Sequence, residues 1–121
     1  MPLIALRGAA SVDANEQGPI LAATEALMTE LLARNELSAE DLVSCIFTLT
    51  EDLDAEFPAV AARQMGLSQV PLLCAREIPV PGALPRIIRV LIHCQFPDGR
   101  APYHAYLGEA QVLRLDLEGA Q

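Results

Sequence analysis

Cys74, Glu77 and Arg89 bring a thiol, a carboxylate and a guanidinium into one short part of the chain. Arg89 interrupts the β-branched run Ile87 to Gln95. A charge inside a buried strand is costly unless it is paired or has chemistry to do. Between Glu77 and Arg89 lies a loop stiffened by Pro79, Pro81 and Pro85, with Gly82 able to take a positive φ. Arg7, among apolar neighbours near the start, and Tyr103 and Tyr106, near the end, extend the set. Guanidinium forks, a carboxylate and phenols bind polyanionic small molecules and stabilise charge without a nucleophile. From spacing alone, the chemistry stops at a pocket for carboxylates.

Other chemistry has no such signal. The chain has no G-x-S-x-G, phosphate-binding loop, G-x-G-x-x-G or H-E-x-x-H pattern. Glu51, Asp52, Asp54 and Glu56 could form a hard-metal or paired-carboxylate site. With no His and no glycine-bearing ligand loop beside them, they read as a solvated loop. His93 and His104 share no ligand spacing and read as structural or exposed, so no metal is expected. Cys45, Cys74 and Cys94 are odd in number and lack C-x-x-C spacing, which argues against a disulfide framework and a zinc site. All eight basic residues are arginine. Base composition explains this, and so does bidentate gripping of carboxylates.

The elements that must position these groups follow from periodicity. Leu3 to Ala9 reads as a strand. Asn15 is a candidate N-cap, Pro19 suits a first turn, and Ile20, Leu27, Met28, Leu31 and Leu32 repeat at helical spacing up to Arg34 and Asn35. In that helix Thr24, Glu25, Thr29 and Glu30 fall on other faces. Ser38 to Asp41 resembles a capping box on a short turn. Val43 to Thr50 alternates as a strand, with Val43, Cys45, Phe47 and Leu49 on one side, and Cys45 reads as packing. Pro58 opens a second helix that carries Arg63 and stops at Gly66. Val70 to Ala75 and Ile87 to Gln95 are strands. Phe96 to Pro102 is a turn, Tyr103 to Leu107 and Gln111 to Leu115 are short strands or turns, and the chain from Asp116 is a loose tail. The order suggests an α+β fold with helices over one face of a mixed sheet.

A chain of 121 residues makes one domain, here 1–115 with a tail at 116–121. A hydrophobic fraction of 52% and a mean hydropathy of +0.30 exceed what so small a monomer can bury, so a subunit interface is expected. No apolar run reaches the ~18 residues of a membrane span. The start, MPLIALRG, lacks the pattern of an export signal, and a reducing cytosol is expected. A net charge of −8 and a pI near 4.5 disfavour nucleic acid and anionic membranes as partners.

Four motifs carry a resemblance: the early I-A-L-R-G-A, the middle T-E-D-L-x-x-x-F-P-A-x-A-A-R, the central P-L-L-C-A-R-E-I-P-V-P-G-x-L-P-R-x-I-R-V and the late H-x-Y-L-x-x-x-x-x-L-R. In this order and spacing the chain resembles the monofunctional chorismate mutase family of the Bacillus type. The resemblance implies a homotrimer, described as a pseudo-α/β-barrel, with a cleft at each subunit boundary. It implies the Claisen-type rearrangement of chorismate to prephenate without a cofactor. Arg89 would face the ether oxygen of the breaking bond, and Arg7 and Tyr106 would hold a substrate carboxylate. Glu77, as an acceptor, and Cys74 would meet the ring hydroxyl. Phe57, Ala59, Arg63, Leu72, Leu73 and Leu113 would line the cleft, with Arg114 nearby. Val60 stands where the family often has lysine, and Leu115 where proline is usual. Two other readings stay open: an imine-hydrolysing trimer of similar architecture, and a non-catalytic trimeric domain that binds small dicarboxylates.

Overall fold

The computed structural model describes residues 1–113; Arg114, Leu115 and the tail from Asp116 lie outside the described residues. Strand β1 (Leu3–Ser11) leads into helix α1 (Gln17–Arg34), then a 3₁₀ turn at Ala39–Asp41. Strand β2 (Leu42–Leu49), helix α2 (Pro58–Gln64), strand β3 (Leu72–Arg76) and strand β4 (Ile87–Gln95) follow. Strand β5 (Ala105–Leu107) and a 3₁₀ segment at Gly108–Val112 close the described chain. The strands form one five-stranded sheet in the order β3-β2-β4-β1-β5. β4 is antiparallel to β1 and β2, while β5 runs parallel to β1 and β3 parallel to β2. The sheet is therefore mixed and the fold α+β.

Helix α1 lies across β1 and β5, and α2 packs on α1 and β3. The main core fills the space between them with Leu6, Ala10, Ile20, Leu27, Met28, Leu31, Phe47, Ile88, Val90 and Ile92. Gly8 lets α1 come close: a Cβ there would meet Leu31 Cδ1 at 2.8 Å and the Ala105 carbonyl at 3.2 Å. Cys45 and Cys94 are core residues, and burial, with Cys94 nearby, pushes the Cys45 thiol up to about 12.

Three local expectations change. Asn15 is not the N-cap of α1, a position that Glu16 takes. The Asn15 amide instead binds the acidic loop, donating to Asp54 Oδ1 at 2.8 Å and accepting from the N–H groups of Asp54 and Ala55. Thr24 lies on the buried face of α1, because its hydroxyl donates to the Ile20 carbonyl at 2.8 Å and is satisfied there. A register shift between Leu42 and Ser44 turns Leu42 inward and leaves Val43 42% exposed. Elsewhere the pattern holds: Ser38 N–H donates to the Asp41 carboxylate at 2.9 Å, and Gly66 ends α2 with φ +95°.

The acidic loop is stapled rather than idle. Arg76 reaches the carbonyls of Thr50 (2.8 Å) and Leu53 (3.0 Å), and the Asp52 carboxylate accepts the backbone N–H of Arg86 at 2.9 Å. Among the described residues no group of three His, Cys, Asp or Glu is placed to hold a metal ion, and no helix is long and apolar enough to cross a membrane.

Candidate functional site

Strand alternation decides which side chains meet. On β4, Ile88 and Val90 enter the core, so Arg89 between them points to the sheet face opposite α1 and α2. In register beside Arg89 are Ala9 on β1 and Thr48 on β2, and Ala9 in turn pairs with Tyr106 on β5. Arg7 and Ala9 share that face of β1. The resulting hollow, of about 250 Å³, is lined by Arg7, Ala9, Ile46, Thr48, Arg89, Leu91 and Tyr106 among others. Three of the expected site residues meet in it.

Glu77 sits at its rim, just past β3, where its N–H donates to the Leu49 carbonyl at 2.9 Å. One carboxylate oxygen accepts from the Thr48 hydroxyl at 2.8 Å, and Arg89 Nε lies 3.2 Å from the carboxylate. The Glu77 side chain is 15% exposed and that of Arg89 37%, so the pair is partly shielded and neither charge stands alone. Nε–H is taken up by the Glu77 carboxylate, so the terminal nitrogens remain for another acceptor. Among the described residues no hydrogen bond from those terminal nitrogens is found.

Tyr106 adds a second donor. Its hydroxyl is buried with no hydrogen-bond partner among the described residues. Loss of hydration raises its pKa, and the charges of Arg7 and Arg89 pull the other way. The hydroxyl stays protonated at neutral pH, beside two guanidinium groups. A buried unpaired donor is costly, so the arrangement suits an acceptor that arrives from outside, and two cations favour an anionic one.

The remaining expected residues divide. Cys74 pairs in register with Phe47 and is turned to the helix-bearing face. It lines a different hollow, of about 410 Å³, with Leu53, Asp54, Glu56, Phe57 and Arg76. Within one chain, then, Cys74 and Phe57 do not join Arg7, Arg89 and Tyr106. Leu73 is 60% exposed, Leu72 packs partly on the core and Ala59 is buried in it. Arg63 is exposed on α2. Leu113 packs on the small cluster of Ala9, Ile87 and Ala110. Arg114 lies outside the described residues.

Two contributors went unseen in the sequence. Thr48 holds Glu77, and its only signal was its place on the non-core side of the β2 alternation. His104 accepts the backbone N–H of Arg7 through Nδ1 at 3.0 Å, which no spacing rule reveals.

Comparison with known proteins identifies the family. Residues 3–117 match the family model described as chorismate mutase type I. A chorismate mutase of Thermus thermophilus is 50% identical over 119 residues, spanning 96% of this chain and 97% of its own. One from Bacillus subtilis (strain 168) is 36% identical over 120 residues, 97% of this chain and 94% of its own. A solved chorismate mutase from Clostridium thermocellum superimposes with a TM-score of 0.87 at 44% identity, covering 90% of this chain and 98% of that one.

Proposed function

This chain belongs to the chorismate mutase type I family and is an isomerase of that kind, and we propose that it converts chorismate to prephenate in a pocket centred on the Arg89 guanidinium. The reaction is unimolecular. One C–O bond breaks as one C–C bond forms, so no co-reactant or proton is consumed. As the C–O bond stretches, negative charge grows on the ether oxygen. A pre-placed guanidinium meets that charge more strongly in the transition state than in the ground state, which is the condition for acceleration. Enzymes lower barriers by at least ~8 kcal/mol, and one oxyanion-type donor contributes roughly 2.7–4 kcal/mol. Holding the compact, reactive conformer supplies much of the remainder.

Arg7 and Tyr106 take one substrate carboxylate in this reading, which gives the buried Tyr106 hydroxyl an acceptor that it lacks among the described residues. Glu77 acts as an acceptor rather than a base. Each of its oxygens has a second lone pair, so it can meet the ring hydroxyl while still holding Arg89 and Thr48.

The second half of the cleft comes from another copy of the chain. Cys74 and Phe57 are on the far side of the sheet from Arg89, so they complete the pocket only across a subunit boundary. The sheet face opposite α1 and α2, with Ile46 and Leu91 half-exposed and Leu73 open, is the surface for a homotrimer. We extend the reading to a cytosolic location, which three unbridged cysteines suit.

The observation that carries the proposal is Arg89, oriented by Glu77 through Nε, in one hollow with a buried hydroxyl that has no partner among the described residues. The test is loss of chorismate absorbance and appearance of prephenate with the purified protein. A protein that binds a prephenate-like dicarboxylate in calorimetry yet leaves chorismate unchanged would overturn it.

A further inference from the structure

We propose that His104 is a positioning residue for Arg7: its imidazole Nδ1 accepts the Arg7 backbone N–H and fixes the strand position from which the guanidinium reaches substrate. This rests on the reading of Arg7 as a carboxylate-binding group. The pairing of β1 with β5 starts at Gly8 with Ala105 and runs on through Ala9 with Tyr106. It stops one residue short of Arg7. The N–H of Arg7 is therefore left without a ladder carbonyl on that side, and the His104 ring nitrogen, 3.0 Å away, takes that place. The same short strand carries Tyr106, so one bond ties together the two groups proposed to hold one carboxylate.

The bond has a chemical condition. A ring nitrogen accepts only when it carries no proton, so the imidazole is neutral with its hydrogen on Nε2. Although His104 is exposed as a residue, loss of hydration around the ring, and then the Arg7 charge on β1, lower its pKa below the ordinary value. On its own element the neighbouring titratable group is Tyr106, which is neutral throughout this range. Above the lowered pKa the ring is neutral and the bond forms. Below it both ring nitrogens are donors, the Arg7 N–H loses its acceptor, and kcat/KM falls. Neither the guanidinium nor the phenol can produce this acid limb. The test therefore removes the histidine alone.

Kinetics against pH for the wild type, His104→Asn, His104→Gln and Arg7→Gln provide that test. Asparagine places an acceptor oxygen where Nδ1 stood and does not titrate; glutamine carries its amide one carbon too far. His104→Asn is expected to keep near-wild-type kcat/KM at neutral pH and to lose the acid limb. His104→Gln is expected to lose roughly tenfold in kcat/KM, mostly through KM, since a carboxylate contact binds ground and transition states alike. An unchanged acid limb in His104→Asn overturns the inference, as does wild-type kinetics in His104→Gln beside an impaired Arg7→Gln. An unimpaired Arg7→Gln overturns the reading of the site and the inference with it.

Discussion

Glu77 and Arg89, twelve positions apart, bracket the proline-rich loop and meet again with Nε 3.2 Å from the carboxylate. The pair couples the exit of β3 to the first half of β4. It also leaves the terminal guanidinium nitrogens as the working end.

Arg89→Lys tests that geometry. An ammonium keeps the charge but has no Nε with which to hold Glu77 and no fork to offer the ether oxygen. The variant is expected to fold normally and to lose kcat by about 10²–10³-fold, the range for one oxyanion donor. Steady-state chorismate consumption, beside circular dichroism for the fold, measures it. Turnover like the wild type would remove Arg89 from the mechanism.

Gly8→Ala addresses the packing beneath the site. The new methyl would press on Leu31 Cδ1, and on the Ala105 carbonyl of the strand that carries Tyr106. Leucine tips can shift, whereas a strand carbonyl cannot do so cheaply. Overpacking of this kind costs roughly 1–3 kcal/mol, and each kcal/mol lowers Tm by about 4–8 °C for a domain near this size. A melting curve that does not move would show that the helix yields freely.

The entry to β4 invites a double-variant test. Arg86 has φ +50°, a conformation that disfavours a side chain, and Asp52 accepts its N–H while Arg86 Nε donates to the Val12 carbonyl at 3.0 Å. Asp52→Ala is expected to cost about 1–2 kcal/mol, the scale of left-handed strain no longer held by a partner. Adding Arg86→Gly should recover part of that loss, because glycine takes the conformation unaided. Urea unfolding of the single and double variants gives the coupling, and simple additivity would refute it.

Much of this was legible in the chain. The β-branched run from Ile87 to Gln95 is the strand β4 with the same bounds. Arg89 and Glu77 stood out because charge in an apolar setting must have a partner. What was hidden depends on groups distant in sequence. Thr24 reads as a surface residue until its hydroxyl finds the Ile20 carbonyl. Val43 reads as core until the register shift turns it out. Cys74 was singled out as a chemical group, but its face is fixed by pairing with Phe47, which spacing cannot give. Thr48 and His104 are ordinary residue types whose role exists only in the sheet register.

The separation of Cys74 and Phe57 from Arg89 within one chain gives the sharpest test of a shared cleft. Arg89→Ala removes the working cation from one half. Phe57→Asp puts a carboxylate, which repels a dianion, into the other half. Each homo-oligomer is expected to be nearly inactive. If every cleft takes its halves from two neighbours, co-refolded mixtures contain clefts in which both contributing halves are wild-type. Those mixtures should regain a fraction of wild-type kcat at unchanged KM, since the restored clefts are normal and only fewer. Sedimentation of the wild type should give a trimer at micromolar concentration. If the mixture is as inactive as its parents while sedimentation shows mixed trimers, each chain must build its cleft alone.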